Sequence, residues 1–346
     1  MASPNSDNPL LSAIDRLAGT RVGVVGDLVA DRYVSGLTDR VSREAPVLIV
    51  RYEEEWLRPG GAANVAANLA ALGAKAWLVG LIGDDDAGRQ LAECLNEPPG
   101  SGGVNCRHLI TAAGRATITK TRFLAGAKLT SRQQVLRLDR EPAEAPGGGL
   151  LAEIGDRIAR LDGEVDAWVV SDYGYGAIGE LARGLLREIA GRKPVVADSR
   201  YDTRLFAGVT VVKPNEEEAE AAARALGLSF RDEGELAAGL NAALNVKAAL
   251  VTLGNKGMVL SACGRVTRIP AVGTEEIVDL TGAGDSVAAA LAAALAAGAD
   301  LELACRLANH AGAVVVMKEG AATASPEELR RSVLEREPGP DARSKT

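Results

Sequence analysis

Residues Asp279–Ala299 read DLTGAGDSVAAALAAALAAGA. Gly282 and Gly284, flanking Ala283, let the backbone turn tightly with unencumbered N–H groups, and the start of the following helix adds a positive dipole end. Together they predict a site for a developing negative charge. Asp285 stands at the mouth of that turn, where a carboxylate repels an anion unless it has another task. In phosphoryl transfer the task is to orient and deprotonate the attacking hydroxyl. A carboxylate stabilised by a helix N-terminus looks the same, and this stretch alone leaves the two readings about even. The apolar run Val287–Ala299 is only thirteen residues long and is bounded by Asp285 and Asp300, too short to span a bilayer, so it predicts a buried helix.

Outward from this stretch, short β-branched runs alternate with Ala/Leu-rich helical segments. That pattern predicts an α/β fold, a central and mostly parallel β-sheet flanked by helices. The predicted strands are Arg21–Asp27, Lys75–Ile82, Ala167–Ser171, Pro194–Asp198, Thr210–Val212 and Ala248–Leu253; helices over Ala62–Leu72, Asp86–Leu95, Leu150–Leu161, Ile178–Ala190 and Glu216–Leu226 lie between them. Two regions break the alternation. Tyr33–Trp56, and Ala116–Leu124 with Leu129–Asp139, read as strands without an intervening helix, as expected of a small antiparallel lid over a site or of an ordinary edge meander. Glu141–Gly149 reads as a loop back to the main domain. The expected organisation is an N-terminal extension over 1–20, one domain over 21–334 with lid strands from about 33–56 and 116–139, and a flexible tail over 335–346.

At 346 residues and 47% hydrophobic side chains, the chain is long and apolar enough for a substantial core. Its 39 Lys and Arg against 46 Asp and Glu give a net charge of -7, no electrostatic reason for a nucleic-acid partner. The four cysteines form no C-x-x-C pair, against a zinc site or disulfide framework, and the first twenty residues lack the order of a signal peptide. The expectation is a cytoplasmic protein without a membrane or nucleic-acid partner. His108 and His310, the only histidines, have no metal-spaced neighbours and are given no catalytic role.

Three further segments carry chemistry. Arg58-Pro59-Gly60-Gly61-Ala62-Ala63-Asn64 lets a polyol approach the backbone at Gly60 and Gly61, with Asn64 offering donor and acceptor from the next helix; a plain turn before an amphipathic helix reads the same way. In Lys213-Pro214-Asn215-Glu216-Glu217-Glu218, Asn215 and Glu218 share a helix face and could hold hydrated magnesium beside nucleotide phosphates, and a helix cap with an acidic first turn is the competing reading. Val251-Thr252-Leu253-Gly254-Asn255-Lys256-Gly257 is a strand running into a glycine-bounded turn that could contact a nucleotide. No Walker A loop or full G-x-G-x-x-G occurs, which disfavours P-loop and dinucleotide-fold chemistry.

The order of these segments resembles the ribokinase-like (PfkB) carbohydrate kinases over roughly Arg21 to Leu334. The resemblance implies ATP and Mg2+, a cytoplasmic sugar kinase, and a homodimer formed through the lid strands. It implies that Gly282, Ala283 and Gly284 form the anion hole and Asp285 the base. The nucleotide site would be Asn215, Glu218, Thr252, Gly254, Gly257 and Asn309, with Asn215 and Glu218 serving the metal through water. The acceptor site would be Asp27, Asp31, Gly60, Gly61, Asn64, Arg132 and Asp172. Within the family, Gly26-Asp27-Leu28-Val29-Ala30-Asp31-Arg32-Tyr33, Ser42-Arg43-Glu44-Ala45-Pro46-Val47, Ser131–Asp139 and Ser171-Asp172-Tyr173 are similar to signatures of the kinase domain acting on the C1 hydroxyl of D-glycero-β-D-manno-heptose 7-phosphate. Lys120, Arg122, Arg132 and Arg137 would supply cations for such a phosphorylated acceptor. Two departures from that pattern are Tyr175, where a lysine is usual, and Asp198-Ser199-Arg200 in place of Asp-Pro-Lys. A kinase for ribose, fructose or adenosine, or a non-catalytic sugar or nucleotide sensor, is the alternative; the intact Asp285 speaks against the sensor.

Overall fold

The computed structural model describes residues 8–96, 102–128, 130–273 and 278–336. In chain order the elements are α1 Pro9–Leu17, β1 Arg21–Gly26, β2 Leu28–Val41, β3 Leu48–Gly61, α2 Ala62–Ala71, β4 Lys75–Gly83, α3 Asp86–Asn96, β5 Gly103–Asn105, β6 Leu109–Ala112, β7 Ile118–Gly126 and β8 Gln133–Arg140. They continue with α4 Gly148–Leu161, β9 Ala167–Asp172, α5 Glu180–Ile189, β10 Val195–Ser199, β11 Val211–Val212, α6 Glu216–Ala225, α7 Glu233–Ala243, β12 Ala248–Thr252, β13 Met258–Ala262, β14 Arg265–Ile269, α8 Ala283–Ala296, α9 Leu301–Val315 and α10 Pro326–Arg336.

The main sheet runs β14-β13-β12-β11-β10-β9-β1-β4-β5, with β6 also on β4. From β12 to β5 every pairing is parallel, and only the β12–β13–β14 edge is antiparallel. Helices cover both faces because neighbouring strand residues point to opposite sides. Val169 packs into the layer formed by α1, α2, α8, α9 and α10, while its neighbours Trp168 and Val170 pack into that of α4, α5, α6 and α7. In the first layer α8 is the central helix, and Ala288–Ala294 are fully buried against α2, α9 and the sheet. Alanine at nearly every turn lets these backbones approach closely; Leu291 is the large exception, and cutting it to alanine costs about 2–5 kcal/mol.

Four strands form a second sheet in the order β3-β2-β7-β8. Its outer pairs are antiparallel and its central β2–β7 pair is parallel. β2 leaves β1 across Asp27 and β3 returns directly into α2, so the lid is continuous with the main sheet and with the helix that carries Asn64. Asp85 anchors the base of β7: its carboxylate accepts from Thr117 N at 3.0 Å, Thr117 Oγ1 at 2.6 Å and Gly88 N at 3.0 Å. The lid strands begin earlier and end later than the expected 33–56, because β2 and β3 are fourteen residues each and pair over nearly their full length.

The N-terminus departs from its expected description as an extension. Asn8 caps α1 by accepting from Leu10 N at 2.9 Å, and Leu10, Leu11, Ala13, Ile14 and Leu17 are buried against α8, α9 and α10. At the other end α10 continues to Arg336, two residues into the expected tail. Residues 1–7 of the expected extension, Leu129 of the expected lid and 337–346 of the expected tail lie outside the described residues.

Candidate active site

Between the carboxyl ends of β9, β10 and β11, the N-terminus of α8 and the inner face of the lid lies a cleft of about 710 Å³. Ligand sites of open α/β sheets sit at this end of the strands. Asp285, in the first turn of α8, lines the cleft and is only 3% exposed. Both of its oxygens are held. Asn64 Nδ2 donates to Oδ2 at 2.8 Å and the Tyr173 hydroxyl donates to Oδ1 at 3.0 Å. Asn68 Nδ2 donates to Asn64 Oδ1 at 3.1 Å, which fixes the Asn64 amide with its own NH2 toward the carboxylate.

Burial is the largest influence on this carboxyl and drives its pKa up from 3.8 to about 7. The Asn64 bond opposes the shift, the Asp198 charge adds to it, and the Tyr173 bond and the Lys213 charge oppose it. The group is therefore poised between its two protonation states near neutral pH, the condition that suits a general base.

Gly282 is the N-cap of α8 with φ +77°, a left-handed conformation, and a Cβ there would lie 2.6 Å from Asn64 Nδ2. Any side chain would strain the backbone and push away the amide that holds the base. Beside Gly284, Lys213 Nζ and Asp198 Oδ2 lie 3.6 and 3.7 Å from where a Cβ would stand. These two form an ion pair at 3.0 Å, and Lys213 is 3% exposed. Burial raises the Asp198 pKa, and the Lys213 charge and hydrogen bond counter the rise. A buried lysine needs such a partner, and here the ion pair stands next to the predicted anion turn.

The cleft gathers Asp31, Gly61, Asn64, Asp172, Asn215, Glu218, Thr252, Gly254, Gly282, Gly284 and Asp285 from the expected site residues, with Lys120, Arg122 and Arg137 from the lid. Asp172 accepts from Ser199 Oγ at 2.7 Å and Gly174 N at 3.1 Å. Arg122 pairs with Asp31, and Arg137 Nε donates to Asp139 at 2.7 Å. Asn215 and Glu218 form a capping box: Glu218 N donates to Asn215 Oδ1 at 2.8 Å, and Asn215 N donates to Glu218 Oε2 at 2.9 Å. That box leaves Glu218 Oε1 outside it, on a residue that lines the cleft.

Several expected site residues stand elsewhere. Asp27 is 2% exposed, and its carboxylate accepts from the backbone N–H groups of Tyr173, Tyr175 and Ala177, so it shapes the loop after β9 and does not line the cleft. Gly60 leaves room for Asp31, whose Oδ2 would lie 2.3 Å from a Cβ at that position. Gly257 lies under the β14 end, where a Cβ would meet Ile269 O at 2.2 Å; it closes the β12–β13 turn outside the cleft lining. Asn309 donates to Pro270 O at 2.7 Å and lines a second hollow with Arg306 and Arg336, which shares no lining residue with the cleft. Arg132 pairs with Glu53 of β3 at 2.6 Å and donates to Ala127 O at 3.2 Å, and it does not line the cleft. Ala283 contributes backbone at the start of α8 and does not line the cleft.

Tyr173, Asp198, Lys213 and Arg200 also line the cleft, and the sequence pattern gives them no role there. A readable signal existed for Lys213, which follows the apolar run Val211–Val212 and precedes a proline. Among the described residues no helix is long and apolar enough to cross a membrane.

Comparison with known proteins agrees with this geometry. The model of the pfkB family carbohydrate kinases matches residues 20–328. The bifunctional protein HldE of Caulobacter sp. (strain K31) is 41% identical over 334 residues, covering 93% of this chain and 64% of that protein. HldE of Pseudomonas aeruginosa (strain LESB58) is 41% identical over 322 residues, covering 91% of this chain and 64% of that protein. The chain thus spans about 64% of the length of these curated relatives. Among solved structures, the ribokinase of Arabidopsis thaliana complexed with ribose and ATP aligns over 91% of this chain and 99% of its own, with a TM-score of 0.67 at 21% identity. The ribokinase of Thermotoga maritima aligns over the same shares with a TM-score of 0.68 at 24% identity. These structures share the ribokinase-like fold, and the family match covers nearly all of the described chain: the protein belongs to the pfkB family of carbohydrate kinases, phosphotransferases that act on sugar hydroxyl groups.

Proposed function

We propose that the chain transfers the γ-phosphoryl group of ATP to the C1 hydroxyl of D-glycero-β-D-manno-heptose 7-phosphate, giving the 1,7-bisphosphate. The observation that carries this reading is Asp285, a buried carboxylate with a pKa of about 7, held by two donors beside the glycine turn of α8. The heptose acceptor is supported by the sequence signatures at Gly26–Tyr33 and Ser171–Tyr173 and by the cations that line the cleft from the lid.

In this reading the acceptor hydroxyl donates to Asp285, which takes its proton as the oxygen attacks phosphorus. Asn64 and Tyr173 keep the carboxylate oriented while it accepts that proton. The backbone N–H groups at the start of α8 stabilise the charge that grows on the transferring group. Thr252 and Gly254 line the nucleotide side.

Among the described residues no group of three or more His, Cys, Asp or Glu could cage a metal. Magnesium commonly binds through one or two carboxylates, waters and substrate phosphates. Glu218, with Oε1 outside its capping box, and Asn215 would hold it through water. When bound, the ion neutralises phosphate charge.

A homodimer through the outer face of the lid is part of the same proposal. Val41, Leu48, Tyr52, Leu136 and Leu138 are exposed on lid strands, more apolar surface than a lone lid has reason to show.

The test is ADP release with heptose 7-phosphate, its dephosphorylated form, ribose, fructose and adenosine, with the product located by 31P and 13C NMR. Heptose 7-phosphate should give the highest kcat/KM and a new phosphate on C1. A preference for any neutral acceptor refutes the heptose assignment and leaves the family-level kinase.

A further inference from the structure

Five cations line the cleft: Lys120, Arg122, Arg137, Arg200 and Lys213. Three of them are already neutralised by carboxylates, Arg122 by Asp31, Arg137 by Asp139 and Lys213 by Asp198. Among the described residues neither Lys120 nor Arg200 has a carboxylate within ion-pair distance. We propose that Lys120 and Arg200 form the subsite that receives a phosphomonoester carried by the acceptor. The inference rests on the reading of the acceptor as a sugar phosphate and deepens it by selecting two cations, one of them outside the lid.

The geometry brings the two together. Lys120 Nζ lies 5.3 Å from the centroid of the Tyr173 ring and 5.9 Å from that of Tyr175, and Arg200 Cζ lies 6.0 Å from the Tyr173 centroid. Both cations therefore lie against one tyrosine, and the hydroxyl of that tyrosine donates to Asp285. The span of a single side chain separates the subsite from the base, so the phosphate and the reacting hydroxyl fit on one acceptor molecule, with its body between them.

Lys120 is 8% exposed, a burial that is expensive for an ammonium without a carboxylate. Burial is the main influence lowering its pKa, and the Arg137 and Arg200 charges lower it further, against the opposing pull of Asp31 and Asp139. A bound phosphate dianion would supply the missing counter-charge. An arginine fork and a lysine point charge together suit a phosphomonoester.

The two cations also come from different parts of the molecule. Lys120 is on lid strand β7, and Arg200 follows β10 of the main sheet. A phosphate held by both ties the lid to the core, whereas a neutral sugar offers neither cation a charge. The subsite would thus couple acceptor recognition to lid position.

The test compares Lys120→Met, Arg200→Met, Arg122→Met and Arg137→Met, using kcat/KM for heptose 7-phosphate, kcat/KM for dephosphorylated heptose, and KM for ATP. The ratio of the two acceptor values should fall about tenfold to a hundredfold for Lys120→Met and for Arg200→Met, the span of one lost hydrogen bond to a charged group. ATP KM should not move. Arg200→Lys should recover part of the ratio, and because Arg200 is exposed its variants keep the test open if Lys120→Met fails to fold. A selective loss confined to Arg122→Met or Arg137→Met, an equal fall for both acceptors, or a raised ATP KM in the Lys120 or Arg200 variants would overturn the subsite while the sugar-phosphate reading stands. A wild-type enzyme without preference for the phosphorylated acceptor overturns both.

Discussion

Tyr173→Phe removes one hydroxyl from the cleft and should move the pH dependence of catalysis. In the wild type, burial pushes the Asp285 pKa up to about 7, while the bonds from Asn64 and Tyr173 hold it down. Activity needs the ionised carboxylate, so kcat/KM should fall tenfold per pH unit below about 7. Without the Tyr173 hydroxyl, Oδ1 loses its donor in a buried site and the ionised form becomes less favourable. A hydrogen bond to a charged group is worth about 1.5–3 kcal/mol, and one pKa unit is about 1.4 kcal/mol, so the acid limb should rise by about one to two pH units. At pH 7 this lowers the ionised fraction from roughly a half to between about a tenth and a hundredth. The rate should recover as the pH is raised to about 9. The assay is coupled ADP release at saturating ATP and limiting acceptor, read across the pH range, with circular dichroism to confirm folding. A folded Tyr173→Phe enzyme that loses rate equally at every pH, with its acid limb unmoved, would refute the argument: the tyrosine would then shape the cleft without tuning the base.

The raised Asp285 pKa also predicts a stability effect. Because the native state keeps a proton that the unfolded chain has lost, this group's contribution is present below pH 3.8 and is lost as pH rises through about 7. The shift of about three units corresponds to about 4 kcal/mol at most, and denaturant melts of Asp285→Asn should gain on the wild type as the pH goes from about 5 to about 8; a difference independent of pH would count against the shift. Glu218→Gln keeps the acceptor needed by the capping box and removes only charge, so it should raise the magnesium concentration at half-maximal rate with little change in melting temperature. An unchanged magnesium titration would leave Glu218 as a helix cap. Leu136→Glu with Leu138→Glu should convert a dimer to a monomer in sedimentation experiments, and a wild-type monomer at all concentrations would remove the lid-to-lid proposal.

The fold was legible where periodicity was strong. Strand–helix alternation located six strands of the parallel sheet to within a residue or two, because each is a β-branched run bounded by glycine, proline or a charge, whereas the short β5 and β6 beside β4 carry too few residues for such a run. The β13–β14 hairpin escaped that reading. Its turn is at Cys263-Gly264, both with positive φ, and Arg265, Thr267 and Arg268 dilute the strand signal. Helix α1 departs from the expected extension because its burial depends on helices more than 260 residues away, α8, α9 and α10, which no local window contains.

At the site, the turn of α8 was readable because glycine spacing and a carboxylate have few joint uses. Asn64 was readable as a donor and acceptor at the start of an alanine helix, yet not as the residue that holds Asp285, a contact across 221 positions. Asp27 and Asp31 look alike in Gly26–Tyr33. One is filled by three backbone donors and the other faces the cleft, a distinction set by how the loop after β9 folds back. The lid arginines could not be ranked from alternation alone, since which of them is neutralised depends on carboxylates of other strands, Asp31 of β2 and Glu53 of β3.

The most direct measurement is turnover and nucleotide binding in Asp285→Asn, assayed with heptose 7-phosphate and ATP. The amide keeps the size of the carboxyl group and cannot take a proton from the acceptor hydroxyl. The account predicts a folded protein that binds ATP with unchanged affinity and turns over about 10²–10⁴ times more slowly than the wild type. Near-normal turnover in that protein would contradict the assignment of Asp285 as the base.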